Sequence, residues 1–201
     1  MADLQINYLN FVWAGLFKQG QTGSLVPSQR FLIARMIAPI PRNYRGHVVE
    51  LGSGSGTLTA RLAARCPQAR ILACEINPVL ARDTSKLVAS AGVGSRVEVV
   101  TAAAEKVLPR LARRGIAQVD YVISGIPLGN LDKETTLALI DHVERALAPG
   151  GLYIQFQYTL MDRKKIQSRF ASVKTTPVWL NLPPAFVYYA RKSGAGAKPT
   201  P

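Results

Sequence analysis

The stretch Glu50-Leu51-Gly52-Ser53-Gly54-Ser55-Gly56-Thr57 places an acid and three alternate glycines where a β-branched run gives way to a helical pattern. Such a turn lets a ligand approach the main chain closely, and open α/β sheets bind ligands at that point. Glu75 ends the next apolar run, 19 positions after Gly56. A carboxylate there can accept both hydroxyls of a ribose, so turn and acid together describe a nucleoside site. Nicotinamide enzymes share that arrangement. Two details tilt it towards S-adenosylmethionine: the spacing is GxGxG after an acid, and Thr57 stands where GxGxxG would have its third glycine. Glu50 then suits the cationic amino group of the methionine moiety. The expected cofactor contacts are Glu50, Gly52, Ser53, Gly54, Gly56 and Thr57 in the turn, and Glu75, Ile76 and Asn77 after the second strand. At the adenine end, Ala103 falls where many such enzymes carry an aspartate. Glu105, or main chain at Ala103 and Ala104, would take over that contact.

The turn Ser124-Gly125-Ile126-Pro127-Leu128 bears on the methyl acceptor. Enzymes that methylate a planar nucleobase amine present Asn or Asp, then Pro, then an aromatic residue that stacks on the flipped base. Here Ser124 and Leu128 occupy those places, which argues against nucleic acid. An aliphatic amine has to lose its proton and meet an already activated methyl group, so positioning and desolvation carry the catalysis. No catalytic histidine is assigned. Ser124 and the carbonyls around Gly125 and Ile126 are expected to orient the amine. Tyr158, and after it Tyr188, offers an aromatic face for the growing ammonium.

The elements that must hold these residues follow a βαβ rhythm from Gly46 onward. Strands are expected at His47–Leu51, Arg70–Ile76, Arg96–Val100, Asp120–Ser124 and Leu152–Tyr158. Helices are expected from Leu58 to Ala64, after Pro78, from Asp132 to Leu147 and from Asp162 to Phe170, the third of these stopped by Pro149-Gly150-Gly151. Strands around Val173–Leu180 and Ala185–Ala190 would close the sheet as an antiparallel hairpin. The fold class is therefore α/β, a Rossmann-like sheet of seven mostly parallel strands with helices on both faces. The domain spans residues 41–192, after an N-terminal helical extension (1–40) and before a disordered tail (193–201). Between Leu4 and Phe17, apolar residues including Trp13 cover about two-thirds of a helical wheel. That width fits a core-docked helix or an interfacial membrane helix.

Composition narrows the partners. Twenty-five basic against 12 acidic residues give a net charge of +13, which favours a polyanion, either nucleic acid or an anionic membrane surface. Two cysteines, Cys66 and Cys74, and two histidines in the whole chain supply no zinc-ligand spacing, and reduced thiols in the cytosol are expected. No apolar run is long enough to span a bilayer, and the N-terminus lacks a signal-peptide layout.

Over nearly its whole length the chain resembles the bacterial soluble phospholipid N-methyltransferases acting on phosphatidylethanolamine, which are similar to ribosomal RNA adenine dimethyltransferases. The resemblance rests on Thr22-Gly23-Ser24-Leu25-Val26-Pro27-Ser28, the glycine turn, Ser124-Gly125-Ile126-Pro127-Leu128, Gln155-Phe156-Gln157-Tyr158 and Asn181-Leu182-Pro183-Pro184-Ala185. Gln157 stands where that family usually has Thr, and Ser53 and Ser55 where it has Pro and Thr. The resemblance implies Gly23 and Ser24 as further cofactor contacts and a phospholipid substrate reached from an anionic membrane surface. It also implies a cytoplasmic protein held peripherally on the inner face of the membrane. Lys18, Arg30, Arg35, Arg42 and Arg45 follow the apolar N-terminal stretch and would assist. A ribosomal RNA adenine N6-methyltransferase, and a non-catalytic membrane- or RNA-binding protein of the same fold, are the alternatives.

Overall fold

A computed structural model of the chain describes residues 29–194. Helix α1 (Gln29–Ile37) precedes β1 (His47–Leu51), α2 (Thr57–Arg65), β2 (Arg70–Glu75), α3 (Pro78–Ser90), β3 (Val97–Thr101) and the short α4 (Ala104–Val107). Then come β4 (Val119–Ser124), α5 (Lys133–Ala146), β5 (Leu147–Gln157), α6 (Arg163–Gln167), β6 (Ser172–Val178) and β7 (Ala185–Arg191). The strands form one seven-stranded sheet in the order β3-β2-β1-β4-β5-β7-β6. The first five are parallel, and β7 runs antiparallel to both β5 and β6. The expected architecture forms, with the hairpin partner β6 at the edge. Strand order reverses between β1 and β4, so a crevice opens beyond their carboxyl ends.

Local chemistry sets these elements. In β1, Val48, Val49 and Leu51 are fully buried, as a strand covered on both faces requires. On one face Leu62, Ala63 and Val88 of α2 and α3 pack with Val48, Ile71 and Ile123 of the sheet. On the other, Leu139, Ile140 and Val143 of α5 pack with Val49, Leu72 and Val122. Helix α3 starts where Pro78 fits the first turn, and the Asn77 side chain accepts the Val79 and Leu80 amides at 2.9 and 3.4 Å. Asp132 caps α5 through the Thr135 amide at 2.8 Å. Helix α1 lays Leu32, Ile33, Met36 and Ile37 on the first face, and the Tyr189 hydroxyl donates to the Arg35 carbonyl at 2.8 Å.

Two elements differ from expectation. Pro149-Gly150-Gly151 does not precede β5 but lies within it, as an irregularity between the pairs Val119–Leu147 and Tyr121–Leu152. Proline has no amide to give the ladder, and Gly150 sits at φ 76°, so the strand bulges instead of ending. The helix expected from Asp162 to Phe170 shrinks to five residues. The Asp162 side chain makes no cap there; it is buried and bonds Lys165 at 2.7 Å. The apolar stretch Leu4–Phe17, Gly23, Ser24 and tail residues 195–201 lie outside the described residues. No helix among the described residues is long and apolar enough to cross a membrane.

Candidate functional site

A cavity of about 990 Å³ runs along the carboxyl ends of β1, β2, β4 and β5, at the upper end of the range of roughly 300–1,000 Å³ for small-molecule pockets. Its floor is the glycine turn. The Gly52 and Ser53 amides both donate to the Cys74 carbonyl, at 2.9 and 3.0 Å, folding the turn over the end of β2. Gly52, Gly54 and Gly56 all have positive φ, and a side chain at Gly52 would stand 3.2 Å from Ile126 across the crevice. Thr84 of α3 ties the turn from behind, donating to the Gly54 carbonyl at 2.9 Å.

Two acids face this floor. Glu75 is 6% exposed; its Oε2 accepts the Gly54 amide and its Oε1 the Asn77 amide, each at 2.9 Å. A carboxylate oxygen has two lone pairs, so each oxygen keeps one for a neighbouring hydroxyl. Two adjacent acceptors aimed into a cavity fit the diol of a ribose. Glu50 is 2% exposed, and its Oε2 has no hydrogen-bond partner. Burial pushes its carboxyl up to about 7; the Thr59 hydroxyl pulls the other way, and the charge of Glu75 adds to the rise. A buried carboxylate oxygen left without a partner is costly unless a cation arrives. The residues present therefore fit S-adenosylmethionine, with Glu50 towards its ammonium and Glu75 towards its sugar.

Of the remaining predicted contacts, Gly52, Ser53, Gly54, Thr57, Ile76, Ala103, Ala104 and Glu105 all line the cavity. Ile76 is 71% exposed and forms an apolar flank at the mouth, while Glu105 is the acid beside Ala103. Gly125 and Tyr158 also line it.

Four predicted residues do not reach it. Gly56 is the left-handed residue before α2, where a Cβ would come within 2.9 Å of the Thr84 Cα, so its glycine serves packing. The Asn77 side chain is spent as the α3 cap. Ser124 is fully buried, its hydroxyl accepting the Ile126 amide at 3.2 Å, which fixes the turn and leaves it unable to orient an amine in the cavity. Tyr188 is fully buried in the core, with its hydroxyl on the Thr159 carbonyl at 2.8 Å.

Other groups were not foreseen. The Ile126 carbonyl accepts the amide groups of both Gln155 and Gln157, at 2.9 and 3.1 Å, so both its lone pairs are engaged and it too is withdrawn from the acceptor. Gln155 is completed by the Tyr153 hydroxyl at 2.5 Å. Two glutamines spaced by two on one buried strand were the available signal, because they share a face. Phe156, on the opposite face, meets Tyr158 edge-to-face at 5.7 Å, and both line the cavity with Leu32, Ile33 and Met36 of α1. Burial pushes the Tyr158 hydroxyl up to about 12, so it stays protonated. His142, assigned no role from sequence, lines a wall with Ala138 and Leu139 because those positions share one face of α5.

Comparison with known proteins gives concordant results. Residues 48–151 match the family described as the methyltransferase domain. The chain is 33% identical over 186 residues to the ornithine lipid N-methyltransferase of Singulisphaera acidiphila, covering 90% of this chain and 95% of that protein. Among solved structures, an O-methyltransferase family protein from Burkholderia thailandensis superposes with TM-score 0.67 at 15% identity; the match covers 83% of this chain and 56% of that longer one. The N-methyltransferase NodS of Bradyrhizobium japonicum, in complex with S-adenosyl-L-homocysteine, superposes with TM-score 0.65 at 14% identity, covering 83% of this chain and 88% of NodS.

Proposed function

The chain belongs to the methyltransferase-domain family, with S-adenosylmethionine as its methyl donor, and on that premise we propose that its acceptor is the primary amine of a membrane-lipid head group. The observation that carries this reading is the turn after β4. Ser124 and Leu128, at the places where a nucleobase enzyme has its polar clamp and stacking ring, are both fully buried in the core. The acceptor side of the cavity is bounded instead by Phe156, Tyr158, Leu32, Ile33 and Met36. That wall suits an amine carried on an aliphatic chain. Kinship with the ornithine lipid enzyme over almost the full length of both chains supports the same class. Phosphatidylethanolamine is the head group implied by the sequence resemblance, and an ornithine lipid presents the same kind of amine.

Bound S-adenosylmethionine supplies a methyl group already activated on a sulfonium. The protein's part is to bind, orient and exclude water. Glu50 would hold the ammonium end of the donor and Glu75 its sugar. Gln155 and Gln157 hold the Ile126 carbonyl, and Ser124 holds the Ile126 amide, so the turn is rigid. The Gly125 amide is taken by the Leu51 carbonyl at 2.9 Å, so the Gly125 carbonyl, on the cavity lining, is the group of this turn that would orient the amine. The amine gives up its proton to water or to the lipid phosphate before its lone pair is used. Tyr158, neutral and lodged against Phe156, presents a ring face that favours the larger, permanently charged head group as methyl groups accumulate.

The test offers the protein vesicles containing phosphatidylethanolamine or an ornithine lipid, together with S-adenosylmethionine labelled in its methyl group. Label recovered on a lipid amine is the expected result. Label found only in added ribosomal RNA, or in no acceptor, would overturn the reading.

A further inference from the structure

Large apolar side chains left in water are distributed unevenly over the described residues. Ile76 and Val79 follow β2, Leu160 and Met161 follow β5, and Trp179, Leu180 and Leu182 make the turn between β6 and β7. That turn lies at the cavity edge, because β7 begins opposite the carboxyl end of β5 at the pair Gln157–Phe186, and β6 ends at the pair Val178–Ala185. All seven therefore sit on the edge of the sheet where the cavity opens. Leu87, within α3, is the eighth, and the loops at the opposite edge carry none among the described residues.

Single exposed apolar residues are ordinary, but a set gathered on one rim marks an interaction surface. Their exposure is large: Trp179 70%, Met161 72% and Leu182 80%. The turn that presents them is built. Asn181, 1% exposed, donates its Nδ2 to the Pro183 carbonyl at 2.7 Å and anchors the loop from inside. Beside Leu160 and Met161 stand Arg163 and Lys164, exposed and, among the described residues, without a carboxylate partner. Apolar residues led by a Trp, bordered by cations on a chain of net charge +13, complement an anionic lipid surface.

We propose that this rim, the loop after β5 with the β6–β7 turn, inserts into an anionic lipid surface to head-group depth and sets the cavity mouth against it. The inference rests on the lipid-amine reading and adds the face by which the acceptor enters. An acceptor could then reach Gly125 and Tyr158 without its acyl chains leaving the bilayer.

Trp13 and Trp179 are the two tryptophans of the chain, so Trp13→Phe makes Trp179 the sole reporter. Its emission should shift to the blue on adding vesicles containing phosphatidylglycerol, and lipids brominated near the head group should quench it. Leu182→Asp, at a position 80% exposed and outside the core, should weaken vesicle affinity about tenfold, the scale set by one leucine side chain. Methyl transfer to a short-chain, monomerically dissolved lipid amine should be unchanged. A Trp179 emission indifferent to vesicles, or Leu182→Asp binding them normally, would overturn the proposal. So would an emission already blue-shifted before vesicles are added, which would assign the rim to the chain's own N-terminal segment or to a second copy. Quenching is read without turnover, so this test can fail while lipid methylation stands, or succeed while it falls.

Discussion

Glu50→Gln keeps the shape of a buried side chain on the cavity wall and removes its charge, separating what the acid does for the fold from what it does for the ligand. Burial raises this carboxyl from an ordinary 4.5 to about 7. A carboxyl raised in the folded state stabilises the fold fully below its unfolded value. That contribution is lost as pH climbs through the folded value. The full loss is about 3 kcal/mol, of which about 2.5 kcal/mol develops between about pH 5 and pH 8.5. Glutamine does not titrate. The variant should therefore gain on the parent as pH rises, by roughly 5–10 °C in melting temperature across that interval for a chain of this size. Taking the difference between the two proteins at each pH cancels the titrating groups that do not interact with Glu50, leaving Glu75 as its coupled neighbour. Calorimetric titration with S-adenosylhomocysteine should show the opposite preference: the parent binds more tightly as pH rises past 7, and the variant binds weakly throughout. A melting difference that stays flat with pH would refute the buried, partnerless state of Glu50. Equal affinity of variant and parent for the ligand would refute its pairing with the ammonium.

Glu75→Ala removes two acceptors aimed at a diol, and the dissociation constant for S-adenosylhomocysteine should rise about 10- to 100-fold; an unchanged constant would refute the ribose role. Gly56→Ala forces a side chain against the Thr84 backbone at φ 81°, so denaturant melts should show a loss of about 1–3 kcal/mol, and a neutral result would mean the turn is looser than drawn. Tyr158→Ala should depress the later methylations more than the first, by about three- to tenfold. Mass spectrometry of the product mixture reads this directly, and proportional loss of all products would remove the ring from acceptor handling.

The donor half of the site was legible because it obeys spacing. An acid, a glycine turn and a second acid after the next strand stand at fixed offsets from strand ends, and Glu50 and Glu75 lie where that pattern put them. Two expected contacts, Gly56 in the glycine turn and Asn77 after β2, turn away from the cavity for one cause. The sequence marks Gly56 and Asn77 as near the ligand, but whether a residue there touches ligand or only fixes the backbone depends on side-chain direction, and one is used against Thr84 while the other caps α3. The acceptor half was less legible because it comes from elements far apart in the chain. Nothing local announces that α1 will share a wall with Phe156, or that Gln155 and Gln157 will reach one carbonyl in the turn after β4. Tyr158 and Tyr188 look alike in sequence, and only the sheet pleat and the packing of β7 send the second into the core.

The acceptor wall has an evolutionary consequence. The matched methyltransferase region ends at residue 151, whereas Leu32, Ile33 and Met36 precede it and Phe156 and Tyr158 follow it. The two acids proposed for the methyl source, Glu50 and Glu75, thus lie inside that block, and the apolar wall proposed for the recipient lies in the flanks on either side of it. Mutation can retune the flanks while the block stays under its own constraint. Exchanging those flanks with a relative's should move recipient preference between proteins and leave the affinity for the shared nucleoside where it was.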